Sequence, residues 1–325
     1  MAMRTAWLLW VMLCVLVFTT FLLWGRFLAM MEAGQLLLMF PRVPRRPGVD
    51  FSSLSSADLP ELACQSDLGL LILVTSHTSH HASRSAIRKT WAQKTKGSIH
   101  PWQVVFLVGR PVDVMLDWHM HKEHEIYRDI LMGNYVDSYR NLTLKVMHGI
   151  NWAVERCQPA YILKTDDDCY INTQRLPAFL SKQSPSSQLY VGSIFPEDKR
   201  MVIRDPSSKW YVSYGDYESD VYPPYASGIG YILSLDAARM ILQKAQTTAP
   251  LPVEDAYVGI LADRVQIRPL SSARFAKHNA KWSVCNYRYL MVIHGLSPEE
   301  QDPTHKKVLS TRTACTHSME ATHWK

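Results

Sequence analysis

The sequence lacks the features of several classes of protein. Its 14 glycine and 18 proline residues follow no fixed period and no internal repeat occurs, so collagen-like and repeat proteins are excluded. A hydrophobic share of 47% also excludes a disordered chain. Of the net charge of +6, residues 1–50 carry +3, which leaves +3 for the other 275 residues. Because no basic face is clustered there, no nucleic-acid partner is predicted.

The chain also lacks a second apolar run of membrane-spanning length, since only residues 5–25 are long enough. This run is uncharged and would measure about 31 Å as a helix, which matches a bilayer core. Trp7, Trp10 and Trp24 lie near its ends, where the membrane interface favours tryptophan. A cleaved signal peptide is the alternative, but its apolar core is shorter, about 7–15 residues. We therefore predict a cytosolic head at residues 1–4 and a signal-anchor transmembrane helix at 5–25.

Residues 26–63 are predicted to form a stem, because proline and serine dominate much of the segment and no periodicity appears. Five of the six cysteines lie beyond the membrane segment, and Asn141-Leu-Thr143 is an N-glycosylation sequon. Together with the short head, these features favour an oxidising lumen for the body. The sequence thus predicts a single-pass type II membrane protein with a lumenal domain at residues 64–325.

The body of the chain alternates apolar runs with segments of helical spacing. Buried strands are predicted at residues 68–76, 103–109, 160–164, 189–194 and around 231–233. Helices are predicted at 142–155, at 236–245 and after a capping Ser83, and 125–139 should pass from helix to loop. This alternation predicts an α/β domain with a mainly parallel sheet, whose ligands bind beyond the carboxyl ends of the strands.

Three adjacent carboxylates follow one of these strands directly. Asp166, Asp167 and Asp168 repel one another, and a bound cation neutralises such a group most simply. Oxygen ligands suit Mg²⁺ or Mn²⁺. Alternation along the chain places Asp166 and Asp168 on one side and Asp167 on the other. An acidic surface turn is the alternative, which the buried strand before it disfavours.

Three further patterns are weaker by themselves. Residues 222–231 (YPPYASGIGY) lead from a proline pair into small residues, a loop that lets backbone approach a bulky ligand. Glu254 and Asp255 open a helix, where they could simply complement its dipole. His294 follows an apolar run, where a histidine is either structural or a metal ligand.

Taken in order, these motifs resemble the β-1,3-galactosyltransferase and β-1,3-N-acetylglucosaminyltransferase family of animal Golgi enzymes. The matching segments are SRSAIRKTW (83–91), FLVG (106–109), DSYRNLTLK (137–145), YILKTDDDCYIN (161–172), YPPYASGIGYILS (222–234), VEDAYVG (253–259) and finally His294. The resemblance covers residues 64–315. It implies a glycosyltransferase-A fold, which is a Rossmann-like α/β domain that binds a nucleotide sugar.

The resemblance also implies roles for individual residues. Asp168, Asp166 and His294 match the ligands of Mn²⁺, and Asp255 matches the catalytic base. The residues expected to bind the donor are Asp166, Asp167, Asp168, Arg84, Arg88, Ser227 and Gly228, with the two arginines ranked as pocket support above direct contact. The implied disulfides are Cys64–Cys157 and Cys285–Cys315, with Cys169 reduced and buried. Asn141 is the predicted glycosylation site.

The activity that the resemblance implies is inverting transfer of galactose from UDP-galactose. The acceptor would be the 3-hydroxyl of a GlcNAc- or GalNAc-terminated glycan on glycoprotein or glycolipid, and the product a β-1,3 linkage. The resemblance also implies galactose rather than N-acetylglucosamine as the sugar transferred, because Ser227-Gly228-Ile229-Gly230 matches the segment typical of the galactosyl members. An N-acetylglucosaminyltransferase and an inactive lumenal chaperone or sugar-binding relative are the alternatives. The expected location is the Golgi membrane.

Overall fold

The computed structural model describes residues 2–32, 47–55, 59–93, 101–184, 187–278 and 283–315. The chain divides into an N-terminal unit, Met1–Arg46, and a globular unit, Pro47–Lys325.

The described part of the N-terminal unit is one helix, α1 (Ala2–Glu32). Within it, Trp10–Ala29 is the one segment of the described chain that is long and apolar enough to cross a membrane. Its large side chains are exposed, as in Phe21 at 79%. The helix is longer than the predicted 5–25 and continues past Arg26, and it fits a single-pass membrane anchor.

The globular unit includes part of the segment predicted as a stem. Val49, Leu54 and Leu62 are buried in its core. The Val49 N–H donates to Ala245 O at 2.9 Å, and Leu54 O accepts from the Asn134 N–H at 2.8 Å. Because these contacts order the chain before residue 64, the globular unit begins near residue 47. Stem residues 33–46 and 56–58 lie outside the described part of the chain.

The globular unit contains ten strands and seven α-helices within its described residues. The strands are β1 (Leu70–Thr75), β2 (Trp102–Arg110), β3 (Ile130–Val136), β4 (Tyr161–Asp166), β5 (Cys169–Ile171), β6 (Tyr190–Ile194), β7 (Ala226–Ser234), β8 (Leu270–Ser271), β9 (Phe275–Ala276) and β10 (Val292–His294). The helices are α2 (His81–Lys89), α3 (Val114–Tyr127), α4 (Leu142–Trp152), α5 (Arg175–Leu180), α6 (Leu235–Ala245), α7 (Glu254–Arg264) and α8 (Pro298–Ala314).

Seven strands form the main sheet in the order β3-β2-β1-β4-β7-β6-β8. Strands β1 to β4 run parallel, and β7 is antiparallel to both β4 and β6. Along β1, Leu71 and Leu73 enter the core on one face, while Ile72 and Val74 enter the core on the other. Both faces are therefore covered, which explains the continuous apolar run. The predicted α/β class with a mainly parallel sheet is confirmed.

Three local predictions were wrong. Residues 130–136, expected to be a loop, form edge strand β3, whose Gly133 and Asn134 interrupt the apolar run that marks the other strands. Helix α2 begins at His81, so Ser83 lies inside the helix and does not cap it. The small-residue segment at 226–230 is the start of β7 and not a loop, because it pairs with β4 and β6.

A second, three-stranded sheet in the order β5-β10-β9 contains His294, one of the predicted metal ligands. Strand β10 runs antiparallel to β5 and places His294 opposite Cys169. Gly295 follows with φ +82°, a left-handed conformation that favours glycine. The Leu296 N–H then donates to Asp168 O at 2.8 Å, so the sheet fixes the His294 segment against the segment after β4.

The structure joins Cys64 to Cys157 and Cys285 to Cys315, the pairing that the family resemblance implies. Cys169 is a free, fully buried thiol. The first bridge ties Cys64, directly after the predicted stem, to the end of the π-helical turn Ala153–Cys157 that follows α4. The second ties the segment before β10 to the end of α8.

Gly259 allows α7 to pack against the segment before β7, because a Cβ there would lie 2.3 Å from the Tyr225 Cβ. We predict that Gly259→Ala destabilises the protein by about 1–3 kcal/mol through overpacking, despite the higher helix propensity of alanine. Thermal unfolding of the detergent-solubilised chain measures this. The control is Gly215→Ala, where only Ser213 Oγ lies near, at 3.7 Å. Equal stability of the two variants would contradict the prediction.

Candidate active site

The predicted site residues converge at the carboxyl edge of the main sheet. Asp166 ends β4 and stands in register with Thr75 at the end of β1. Because β7 runs the opposite way, it begins at this edge, and Gly230 pairs with Thr165. Helix α7 also begins here, since Asp255 in its first turn accepts from the Gly228 N–H at 3.0 Å. Ligand binding at this edge is the arrangement expected of an α/β sheet.

A buried ammonium group, that of Lys164, joins these elements. Its Nζ contacts Asp166 Oδ1 at 2.8 Å, Gly228 O at 2.7 Å and Glu254 Oε2 at 3.1 Å, and its side chain is 1% exposed. Burial opposes the charge, but the carboxylates of Asp166 and Glu254 outweigh it and raise the pKa of Lys164. Lys164 therefore remains charged and holds β4, β7 and α7 together.

The two carboxylates at the start of α7 differ in environment. Glu254 is buried, with Oε1 accepting from the Tyr231 hydroxyl at 2.6 Å. Burial raises the pKa of Glu254 to about 7, against the opposing effect of Lys164. Asp255 is partly exposed, and burial raises its pKa despite the N–H bonds from Gly228 and Ala256. Asp255 is thus the carboxylate of this pair that can reach a substrate.

Asp168 and His294 form a carboxylate–imidazole pair. Asp168 Oδ2 lies 3.3 Å from His294 Nε2, and both side chains are partly exposed. His294 Nδ1 donates to Lys277 O at 2.9 Å, which orients the ring and directs Nε2 to Asp168. The bond to Asp168 raises the pKa of His294 to about 8. The β5–β10 pairing brings these two residues together, although they are far apart in the sequence.

This pair fits part of a Mn²⁺ site. A carboxylate oxygen and an oriented imidazole nitrogen converge, and their exposure leaves room for ligands from a bound substrate. In the described residues no three His, Cys, Asp or Glu side chains are grouped to hold a metal. Asp166, predicted as a third ligand, instead uses Oδ1 to bind Lys164 and the Thr75 hydroxyl. The structure thus brings two of the three predicted ligands into contact, with Asp166 near enough for its charge to act on His294. Metal ligation by Asp166 stays a prediction.

Asp167 points away from this pair, as the strand alternation predicts. Its Oδ2 accepts from the Ser76 hydroxyl at 2.6 Å and lies 2.9 Å from His80 Nδ1. These bonds tie the loop after β1 to the segment after β4. Asp167 is thus positioned to support the pocket through that loop.

Arg84 and Arg88, predicted near the donor, are occupied by protein groups. Both Arg84 Nε and Nη2 bind Glu123 at 2.8 Å, and its Nη1 binds His77 O at 2.6 Å. Arg88 binds Asp129 through two 2.8 Å bonds, and its Nη1 binds Glu123 at 2.7 Å. Both guanidinium groups are thus bonded within the protein, where Arg84 holds the loop after β1 and Arg88 joins α2 to α3 and to Asp129. These contacts favour the supporting role ranked first, and direct contact with the donor stays a prediction.

The remaining predicted residues lie close by. Ser227 is buried at the start of β7, and Gly228 places its backbone between Lys164 and Asp255. At the sequon, Asn141 Nδ2 donates to Val136 O at 2.9 Å, and the buried Thr143 hydroxyl binds Leu251 O. These bonds give the sequon residues structural contacts, and glycosylation of Asn141 stays a prediction.

Sequence reasoning missed Lys164, Ser76 and His80. Lys164 had a signal, since a lysine inside an apolar strand two residues before a carboxylate requires a buried partner. Ser76 and His80 had none, because their bonds to Asp167 span about 90 residues of chain.

The family model of galactosyltransferases (Galactosyl_T) matches residues 82–272. The chain is 34% identical to human (Homo sapiens) β-1,3-galactosyltransferase 1 over 241 residues, 73% of each chain. It is 32% identical to gorilla (Gorilla gorilla gorilla) β-1,3-galactosyltransferase 5 over 282 residues, 84% of this chain and 94% of that one.

Two solved structures are less similar to this chain than these relatives are. Galactosyltransferase LgtC gives a TM-score of 0.37 at 8% identity, covering 73% of this chain and 95% of that one. Mouse xyloside xylosyltransferase 1 gives 0.35 at 12% identity, covering 71% and 98%. Both scores are too low to support an argument from shape.

The sequence matches define a hexosyltransferase, an enzyme that transfers a sugar to an acceptor. The chain belongs to the galactosyltransferase family, in agreement with the resemblance of its motifs.

We predict that Lys164→Met lowers the free energy of unfolding by about 3–5 kcal/mol, because it leaves Asp166 and Glu254 without their cation. Urea denaturation followed by tryptophan fluorescence measures the loss. Adding Glu254→Gln should recover part of it, since one uncompensated carboxylate is then neutral.

The matched control is Lys306→Met. This lysine contacts Asp302 at 2.6 Å but is 74% exposed, so its pairing with Asp302 contributes little. A Lys164→Met variant as stable as Lys306→Met would show that the buried cation does not hold the site together.

Proposed function

We propose that the protein transfers galactose from UDP-galactose to the 3-hydroxyl of a GlcNAc- or GalNAc-terminated glycan, with inversion to a β-1,3 linkage. The observation that carries the proposal is the convergence of Asp255 and the Asp168–His294 pair at one sheet edge. The similarity to β-1,3-galactosyltransferases supports the sugar and the linkage.

The donor end of the site would be formed by Asp168, His294 and the loop after β1. Asp168 and His294 would hold Mn²⁺, which when bound supplies positive charge that stabilises the departing UDP. Asp166 stays in its bonds to Lys164 and Thr75, and Asp167 fixes the loop through Ser76. These contacts preorganise the site before substrate arrives, so little reorganisation is needed during transfer.

The acceptor end would depend on Asp255. Its carboxylate takes the proton of the acceptor 3-hydroxyl while that oxygen attacks C1 of galactose from the face opposite UDP. The C1–O bond to UDP breaks as the new C1–O bond forms, so the configuration inverts. The Gly228 N–H bond to Oδ2 fixes the carboxylate in place. Asp255 serves better than Glu254, which is buried against Lys164 and Tyr231.

The choice of galactose over N-acetylglucosamine rests on the Ser227-Gly228-Ile229-Gly230 segment and the relatives. A comparison of transfer rates with the two donors tests this choice. UDP-galactose should support faster transfer than UDP-N-acetylglucosamine under the same conditions, and a reversed order would favour the N-acetylglucosaminyltransferase alternative.

The location proposed is the Golgi membrane, with α1 as a type II anchor and the globular unit in the lumen. The apolar, exposed Trp10–Ala29 segment supports the anchor. The two disulfides support an oxidising compartment for the globular unit.

We predict that Asp255→Asn lowers kcat by about 10²–10⁴-fold, because the amide cannot accept the proton. Initial rates with UDP-galactose and a range of acceptor glycans measure this, with thermal unfolding to confirm the fold. Asp263→Asn, an exposed carboxylate later in α7, is the matched control and should keep normal activity. Near-normal turnover in folded Asp255→Asn would exclude Asp255 as the base.

A second prediction concerns the metal. Chelated enzyme should be inactive and recover with Mn²⁺. In Asp168→Asn and His294→Gln, the Mn²⁺ concentration for half-activation should rise by more than about tenfold, since even outer-shell changes cost about 10–100-fold in metal affinity. His305→Gln, on α8, serves as the control. Unchanged Mn²⁺ dependence in both site variants would contradict the assignment.

A further inference from the structure

The long connection between β6 and β7, residues 195–225, is held in a fixed shape. Met201 and Val221 form an isolated antiparallel β-bridge, and the Val212 N–H donates to Ile203 O at 3.0 Å. Arg204 then closes the loop from inside, with bonds to the backbone oxygens of Val212, Tyr217 and Ser219 at 2.7–2.9 Å. The position of the loop tip is therefore fixed by hydrogen bonds within the connection.

That tip carries an exposed tryptophan beside an exposed tyrosine of another element. Trp210 is 45% exposed, and Tyr139, from the turn after β3, is 43% exposed. Lys209 Nζ lies 4.6 Å from the centre of the Trp210 ring and 5.2 Å from that of Tyr139. This shared cation links the loop tip to the turn and orients both rings.

Both rings belong to connections at the carboxyl edge of the main sheet: Tyr139 follows β3, and the β6–β7 connection returns to this edge, where the Phe195 N–H donates to Tyr225 O at 3.1 Å. The turn of Tyr139 also leads into α4, whose Thr143 hydroxyl binds Leu251 O just before α7.

Burial raises the pKa of Tyr139, and the charge of Asp255 acts in the same direction, as do those of Asp166 and Glu254. Tyr139 is therefore within electrostatic reach of the catalytic edge. An acceptor sugar bound on this surface would lie at the same sheet edge as Asp255.

The nearby Tyr214 does not belong to the surface, although it is 61% exposed. The Arg204 guanidinium lies 3.8 Å from its ring centre, and its hydroxyl donates to Asp220 at 2.9 Å. One face of its ring and its hydroxyl are thus both used within the loop. Lys209 covers one face of the Trp210 and Tyr139 rings and leaves the rest of each exposed ring for a ligand.

We propose that Trp210 and Tyr139 form the binding surface for the acceptor sugar, with the apolar face of its pyranose ring against the aromatic rings and its 3-hydroxyl toward Asp255. The C–H groups of a sugar ring suit the electron-rich face of an aromatic ring, and large aromatic side chains provide rigid anchors. This inference rests on the proposed function, because it requires a sugar acceptor at Asp255.

The test uses the full-length chain in detergent with Mn²⁺, UDP-galactose and two probes, benzyl β-N-acetylglucosaminide and benzyl α-N-acetylgalactosaminide. In Trp210→Ala we expect the acceptor KM to rise about tenfold or more, since an aromatic contact of this size is lost. The donor KM and kcat should stay near normal, because the contact is present before and during transfer. Trp210→Phe should lose less, and Tyr139→Ala should change in the same direction as Trp210→Ala.

Trp118→Ala is the matched control, since Trp118 on α3 is 54% exposed. UDP binding by Trp210→Ala, measured separately, should match the wild type and shows that the donor site is intact. If the wild type transfers galactose but Trp210→Ala keeps a normal acceptor KM, Trp210 does not bind the acceptor sugar. The proposal for the aromatic surface then fails, and the proposed function stands. If the wild type transfers galactose to neither probe, the proposed function fails and this inference fails with it.

Discussion

The arrangement of the site depends on a positive charge buried between two carboxylates. Lys164 Nζ lies within 3.1 Å of Asp166, Glu254 and the Gly228 carbonyl, with almost no exposure to solvent. Taking an ammonium group out of water is costly, and it is offset only where partners surround it. This lysine fixes the relative positions of β4, β7 and the start of α7, and Asp255 follows because it is the next residue of that helix.

A second constraint brings in residues from the far end of the chain. The β5–β10 pairing sets His294 beside Asp168, and the Lys277 carbonyl selects which ring nitrogen faces the carboxylate. Of the predicted metal ligands, the main sheet alone would place only the aspartates at the end of β4 at this edge. The small sheet therefore completes the site, and the Cys285–Cys315 bridge restrains the segment that leads into it.

Periodicity and local chemistry predicted much of the fold. The continuous apolar runs became β1, β2, β4 and β6, because strands buried on both faces leave an unambiguous pattern. Edge strand β3 was missed because a strand with one exposed edge includes residues such as Asn134. The residues of the site were predicted from motifs, but their partners were not. Arg84 and Arg88 were predicted to support the donor pocket, and only the structure shows that Glu123 and Asp129 are their partners.

The most direct test of the central claim is the stereochemistry of the product. The full-length chain would be incubated with Mn²⁺, UDP-galactose and an N-acetylhexosamine glycoside, and the disaccharide analysed by NMR. UDP is axial at C1 of the donor, and the acceptor oxygen deprotonated by Asp255 attacks from the opposite face. The mechanism therefore predicts a β-anomeric galactose attached to O3. An α-linked product, or attachment at another hydroxyl, would contradict the mechanism.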